Sequence, residues 1–430
     1  MSRTTVRELA EADLEAFSVV VANAYPSMQD SPAERQRMRE RWIAQEADPS
    51  VHLYGAFRKG VLQGGMQLYD FSMTMGTAQV PVGGVGMVAV DLLHKKEHVA
   101  RDLMAFFLNH YRTRGMPLAL LYPFRPDFYK QMGFGYGSKM NEYRVHPAAL
   151  PKGGSKEHLV VLDTSDSDQL LDYYNSYQSR TYGMLRRSTF EMERKFANPL
   201  THIVGYRRDG RLHGYLQYRF RSTSDSNFLL NNLEVSECLY DTPEVLAELL
   251  TFLQSQADQI RTVVFWTQED DFHYLLLDPR NGSDYLMPHV YHESNTQGLG
   301  LMYRVLDTVA LLRFLDQSRY AFEDLTRCLY IEVADSFLPD NSGLVVAKFD
   351  HGRIQSVERA TSGSAPVPEP VEEPIRISVD IADFSSLVLG AVGFKTLYTY
   401  GLAKLSDPGE LDRVHRLFQT PDKPRCVTAF

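Results

Sequence analysis

A twelve-residue stretch of this chain occurs twice. Leu53-Tyr54-Gly55-Ala56-Phe57-Arg58-Lys59-Gly60-Val61-Leu62-Gln63-Gly64 lies without a gap over Ile203-Val204-Gly205-Tyr206-Arg207-Arg208-Asp209-Gly210-Arg211-Leu212-His213-Gly214. The offset of 150 residues persists to Gln67 and Gln217. Each copy reads as two strands joined by a tight turn, Lys59-Gly60 in one and Asp209-Gly210 in the other. A period this long means a duplicated domain, not a solenoid.

The flanks repeat as well. Helical patterns at Asp13 to Tyr25 and Ser31 to Gln45 precede the first hairpin, and Ser167 to Arg180 and Ser188 to Ala197 precede the second. A further strand follows each hairpin, then an amphipathic helix. The first such helix runs from about Glu97 to Arg112, with Val99, Leu103, Phe106, Phe107 and His110 on one stripe, and the second from Pro243 to Ala257. Leu118 to Leu121 and Val263 to Trp266 supply a closing strand for each copy. The linker Pro151 to Ser155 separates them. From about Leu301 the pattern changes to a third unit, in which Ser362 to Pro374, rich in Pro, Ser and Glu, reads as a mobile loop before a strand at Ile375 to Val379. The expected domains are 1–150, 151–300 and 301–430, in an α/β (α+β) fold.

Charge and cysteine usage exclude several functions. A net charge of −9 argues against wrapping nucleic acid or docking on anionic lipid. Three scattered cysteines, Cys238, Cys328 and Cys426, show neither a disulfide framework nor a thiolate metal site. The acidic first twenty residues do not read as a signal peptide, and no apolar run approaches the roughly twenty residues needed to span a bilayer. A cytoplasmic protein is expected.

Chemistry concentrates between Val88 and Met104. The string His94-Lys95-Lys96-Glu97-His98 matches the H-x-x-E-H pattern of zinc peptidases. That chemistry needs both histidines and the glutamate on one continuous helix. His94 directly follows Leu92-Leu93 at a strand end and is expected in a turn, so surface histidines are the favoured reading and no metal is assigned. Gly83-Gly84-Val85-Gly86 lies within or before a strand, which is the wrong context for a dinucleotide fingerprint. The other reading of the stretch is a strand, Met87 to Val90, feeding a basic turn and a helix start. Unpaired N–H groups and the helix dipole at such a start suit a pyrophosphate.

This order of elements, closed by Phe128-Tyr129-Lys130-Gln131-Met132-Gly133-Phe134, resembles the GNAT family of acetyl-CoA-dependent N-acetyltransferases. The resemblance implies that Val88 and Val90 pair through their backbone with the pantetheine arm. It also implies that Lys95, Lys96, His98, Val99 and Ala100 form the pyrophosphate loop. His98 departs from the family's Gln/Arg-x-x-Gly-x-Gly/Ala pattern, where glycine lets phosphate approach the backbone. Tyr129, four residues before Gly133-Phe134, takes the place of the family's general acid.

Two such units followed by a smaller α/β unit resemble the enhanced-intracellular-survival (Eis) family, whose third unit is similar to a sterol carrier protein. The second copy fits, since Val235 to Pro243 has no basic Gly-rich turn. That resemblance implies a base formed by the terminal carboxylate, here on Phe430, and an acceptor pocket drawn from Tyr25, Trp42 and Met87. It further implies acetyl-CoA as cosubstrate, a small-molecule or peptide amine as acceptor, and a hexamer. Thr428 and Ala429 place no side-chain carboxylate beside the terminus, which disfavours polycationic aminoglycosides. The rival reading is a catalytically impaired ligand-binding or scaffold protein, with His98 as its cause. The zinc hydrolase is the more distant one.

Overall fold

The computed structural model describes residues 4–25, 31–45, 48–317, 322–360 and 373–430. Most of the Ser362 to Pro374 segment, read above as a mobile loop, lies outside them. The described residues fall into two compact units. One is drawn from Met1–Gly137, Leu301–Pro424 and Ala429–Phe430, the other from Ser138–Gly300 and Arg425–Thr428.

The first unit holds a seven-stranded sheet. Its order is Thr5–Glu8, Val51–Arg58, Val61–Met75, Ala78–Val90, Leu118–Leu121, Met302–Val305 and Gly135–Tyr136. The hairpin turns at Lys59 (φ 51°) and Gly60 (φ 79°), both left-handed, as a two-residue turn matched to strand twist requires. The helices Leu14–Ala24 and Pro32–Gln45 pack together beside the sheet. Helix Val99–Thr113 buries Val99, Leu103, Met104, Phe107, Leu108 and Tyr111 in the main core.

The second unit repeats this plan down to its irregularities. Its hairpin turns at Asp209 (φ 52°) and Gly210 (φ 74°). In the first copy the ladder pairs Ala56 with Gly64 and Phe57 with Leu62, skipping Gln63. In the second it pairs Leu212 with Arg207 and Gly214 with Tyr206, skipping His213. The two bulges are thus 150 residues apart, and the duplication extends to a backbone defect that no composition rule encodes.

Each sheet is finished by a strand from beyond its own stretch of repeat. Next to Leu118–Leu121 lies Met302–Val305, and next to the equivalent Ile260–Thr267 lies Lys139–Val145. The boundary drawn at 150 therefore falls after a strand that belongs to the second sheet.

The remainder of the first unit carries a five-stranded sheet, ordered Arg353–Arg359, Gly343–Asp350, Cys328–Ala334, Ile375–Asp380 and Ala403–Leu405. Helix Ile381–Val388 is buried along its whole length. It packs against Met302–Val305 and Gly135–Tyr136. At this junction Arg304 and Asp335, both fully buried, form a bidentate pair at 2.7 and 2.8 Å. Arg304 Nε also donates to the Met132 carbonyl at 2.9 Å.

The second unit has a buried charge cluster of its own. Arg187 donates to both oxygens of Glu237 at 3.0 and 2.8 Å, and Lys195 and Tyr215 bond to the same carboxylate. Burial alone would raise the Glu237 pKa, but Arg187 and Lys195 outweigh it and hold the carboxyl at about 2, against 4.5 ordinarily. A depressed carboxylate pKa stabilises the fold fully above the unfolded value and loses that contribution as pH falls through the folded one. About 3 kcal/mol should therefore disappear between pH 4.5 and 2, read as a falling urea midpoint by circular dichroism. Glu237→Gln should flatten that dependence while lowering stability at neutral pH.

Candidate active site

The site begins where one strand outruns its neighbour. Ala78–Val90 pairs in parallel with Leu118–Leu121 only from Val82 to Val85, then continues to Val90 without a partner on that side. On its other side the antiparallel ladder jumps from Gly86–Gln67 to Ala89–Gly65, leaving Met87 and Val88 in a bulge. Met87 takes φ 49°, a left-handed conformation that costs a non-glycine residue about 1–2 kcal/mol. The Asp91 N–H bonds to the Gln63 carbonyl at 2.9 Å. Strand alternation therefore turns the N–H and C=O of Val90 to the open side. The Val88 carbonyl is engaged by the Tyr25 hydroxyl at 3.2 Å.

Beneath this opening lies a cavity of about 260 Å³, lined by Tyr25, Tyr69, Val85, Gly86, Met87, Val88, Tyr122, Phe124, Tyr129 and Phe430. Tyr129 sits on the short helix Pro126–Lys130 and is 2% exposed. Burial, with a smaller contribution from Tyr25, pushes its hydroxyl pKa above the ordinary tyrosine value, so it stays protonated at neutral pH. The turn after it is fixed from two directions. Met132 and Phe134 donate to the Tyr129 carbonyl at 2.9 and 3.2 Å, and Lys130 pairs with Asp383 at 2.9 Å. Gly133 has φ 86°, and a Cβ there would meet the Arg304 guanidinium at 2.6 Å. Only glycine fits that position, which is the physical content of the Tyr129-to-Gly133 spacing.

Phe430 is packed rather than frayed. Its ring lies 4.9 Å from Phe71, 5.2 Å from Tyr122 and 5.4 Å from Tyr69. A Cβ at Gly86 would come 3.3 Å from the Phe430 carbonyl carbon, so glycine lets the two backbones approach. Of the three acceptor-pocket residues expected from sequence, Tyr25 and Met87 line the cavity and Trp42 does not. Trp42 is 2% exposed and stacks on Phe17 at 4.9 Å in the helix core. Sequence reading missed Tyr69, Tyr122 and Phe124. No spacing rule marks them, because Tyr69 comes from the strand Val61–Met75 and Tyr122 and Phe124 from the connection after Leu118–Leu121.

The loop from Asp91 to His98 runs as a 3-10 turn, Leu92–His94, and then an irregular stretch before helix Val99–Thr113. His98 is its N-cap with φ 64°, and Lys96 has φ 66°. His98 thus adopts the left-handed backbone that glycine would take, and the loop keeps that geometry at a cost in strain. The first intrahelical bond runs from Asp102 N–H to the His98 carbonyl, so the amides before it face outward. Arg58 reaches Glu97 at 3.2 Å and Asp102 at 3.4 Å, offsetting part of the negative charge at this helix start. Lys95 and Lys96 are exposed and have no ion-pair partner among the described residues. An anionic pyrophosphate fits these residues.

The zinc pattern does not assemble. His94 lies in the turn and bonds Glu97 at 3.1 Å, while His98 is the helix cap, so the three are not on one helix. The three-donor cluster found among the described residues is Glu157, His158 and Glu248, elsewhere in the second unit.

In the second copy the corresponding connection is two residues long. The strand ends at Tyr240 and the helix starts at Pro243, with Thr242 Oγ1 capping the Val245 N–H. Residues of Arg425–Thr428 occupy the region between the ends of Asn231–Tyr240 and Ile260–Thr267. Cys426 N–H bonds the Gln268 side chain at 2.6 Å, Arg425 pairs with Glu269 at 2.9 Å, and Thr428 accepts from Arg187 at 3.1 Å.

Comparison with known proteins agrees with this geometry. Residues 5–137 and 183–305 each match a family described as an acetyltransferase (GNAT) domain, and residues 311–427 match the sterol carrier protein domain. The class is therefore a tandem-GNAT protein. With a sterol carrier domain in third place, the chain has the domain order that the Eis resemblance implies. Its fold is similar to that of Eis1 from Mycobacterium abscessus, with a TM-score of 0.74 at 21% identity and all of both chains covered. A GCN5-related N-acetyltransferase from Kribbella flavida gives 0.75 at 17% identity, covering 100% of this chain and 99% of that one. A Streptomyces avermitilis protein described as an uncharacterized N-acetyltransferase is 27% identical over 234 residues, 51% of this chain and 55% of the relative. A second relative, from Streptomyces coelicolor, is 30% identical over 172 residues, 36% of this chain and 40% of its own. The chain spans about half the length of the curated relatives it matches.

Replacing His98 tests the loop. His98→Gly should stay within about 1 kcal/mol of the parent by urea titration, because relieved strain offsets the added freedom of the unfolded chain. It should also tighten acetyl-CoA several-fold by calorimetry.

Proposed function

We propose that this chain is an acetyl-CoA-dependent N-acetyltransferase with one working site, in the first GNAT domain. The observation that carries the reading is the convergence of Tyr129, Phe430 and the Met87–Val88 bulge on a single cavity beside an unpaired strand edge. The backbone of Val90 and the N–H of Val88 hold the pantetheine arm. Lys95, Lys96 and the amides of His98, Val99 and Ala100 hold the pyrophosphate.

In this proposal Phe430 supplies an α-carboxylate as base. An α-carboxylate is a weak base in water, and the place of Phe430 in the cavity lining is what recommends it for the role. The acceptor ammonium gives up a proton to that carboxylate, and its nitrogen then bonds to the acetyl carbon as the carbon–sulfur bond breaks. Tyr129 protonates the departing sulfur and regains its proton from water. The nitrogen loses its second proton through the carboxylate, so one proton reaches solvent per turnover, with acetyl-amine and CoA thiol as products. With this reading we keep a cytoplasmic location, three domains with the first boundary moved from 150 to Gly137, and a hexamer. Among the described residues no helix is long and apolar enough to cross a membrane. Exposed Tyr285, Leu286, Met287, Val290 and Tyr291 give self-association an apolar surface.

Calorimetric titration with acetyl-CoA comes first. Saturable binding near one site per chain supports the reading, whereas none at millimolar ligand transfers the case to a binding or scaffold protein. Tyr129→Phe should lower kcat about a hundredfold or more with acetyl-CoA affinity unchanged. Appending four residues after Phe430 should cut turnover comparably while folding and acetyl-CoA binding persist. Full turnover in the extended variant removes the terminal base.

A further inference from the structure

Resting on the transferase reading, we infer that the acceptor is an arylalkyl monoamine. The cavity has four tyrosines and two phenylalanines among its ten lining residues: Tyr25, Tyr69, Tyr122, Tyr129, Phe124 and Phe430. Among the described residues that line it, none is Asp, Glu, Lys or Arg.

Two groups of these rings touch one another and together wall the cavity. Tyr69 stacks on Phe71 at 5.2 Å, Phe71 meets Phe430 at 4.9 Å, and Phe430 meets Tyr122 at 5.2 Å. On the other side Phe124 meets Tyr129 at 5.9 Å. Such a wall recognises two things at once: an apolar body by area, and an ammonium by the negative faces of the rings. It offers a polycation no set of separated carboxylates, so each additional ammonium enters at the cost of its hydration.

Size points the same way. At about 260 Å³ the space lies just under the roughly 300–1,000 Å³ of pockets that take drug-sized ligands, and the acetyl group must share it. One ring and a short alkylamine fit; several linked sugars do not. The single anion of the reading, the Phe430 carboxylate, matches a single ammonium. Phe124 stands at the rim, 66% exposed, and is the natural position at which to alter this preference.

The experiment measures thiol release by the full chain with acetyl-CoA and, separately, 2-phenylethylamine, spermidine, kanamycin and a lysine-containing peptide. The expected result is a kcat/KM for 2-phenylethylamine at least about 10-fold above each of the others. Phe124→Glu, which places a carboxylate at the rim, should shift the ratio towards spermidine by about 5-fold or more. A preference for spermidine, kanamycin or the peptide in the parent overturns the inference and leaves the transferase intact. So does a ratio that Phe124→Glu does not move, because the acceptor is then held elsewhere. Thiol release with none of the four, from a protein that binds acetyl-CoA, removes the transferase reading and this inference together.

Discussion

A strand that leaves its partner creates unpaired backbone, and backbone inside a protein must find partners. Ala78–Val90 does this after Val85, and the site of the first GNAT domain is organised around the gap. The Met87–Val88 bulge presents the opened edge, Tyr25 fastens one carbonyl of it, and Tyr129 and Phe430 close the cavity beside it. The duplicated strand Asn231–Tyr240 likewise passes its partner Ile260–Thr267, with which it is paired only up to Val235. There the region holds the chain's own Arg425–Thr428, and the position equivalent to Met87 is Glu237, locked by Arg187 and Lys195. One copy keeps an opening and the other fills it with charge and chain.

The connection after that strand separates the two fates further. Eight residues, Asp91 to His98, separate strand from helix in the first copy, against Asp241 and Thr242 in the second. The longer loop leaves amides outward and two lysines uncommitted, while the shorter spends its cap on its own Val245 amide. Strain at Lys96 and His98 is retained in the first copy, where a bound anion would stabilise it, and is absent from the short connection.

Much of this was legible in the sequence, for physical reasons that differ by element. The Lys59-Gly60 and Asp209-Gly210 turns were readable because a left-handed pair closes such a two-residue hairpin, and the structure adds a Ser188–Glu191 capping box at the start of the helix read from Ser188 to Ala197. The main helix came out with a shifted stripe: Met104 and Tyr111 are buried, while Phe106 and His110 are partly exposed. A window average cannot resolve one position of rotation. Trp42 was placed in the pocket because a large aromatic suits either role, and its stacking on Phe17 decides for the core. The Arg304–Asp335 pair had no signal at all. A buried arginine is exceptional by type, and its partner lies 31 residues away, just past the end of a strand in a different sheet.

The crossed completion of the two sheets limits how this chain can be divided. A fragment cut at residue 150 would carry Lys139–Val145 without the sheet it pairs with and would lack Met302–Val305, leaving Leu118–Leu121 as a bare hydrophobic edge. Bare edges recruit other strands, so such fragments are aggregation templates rather than autonomous domains. The two copies are thereby tied together, since neither sheet is complete within its own stretch of the repeat.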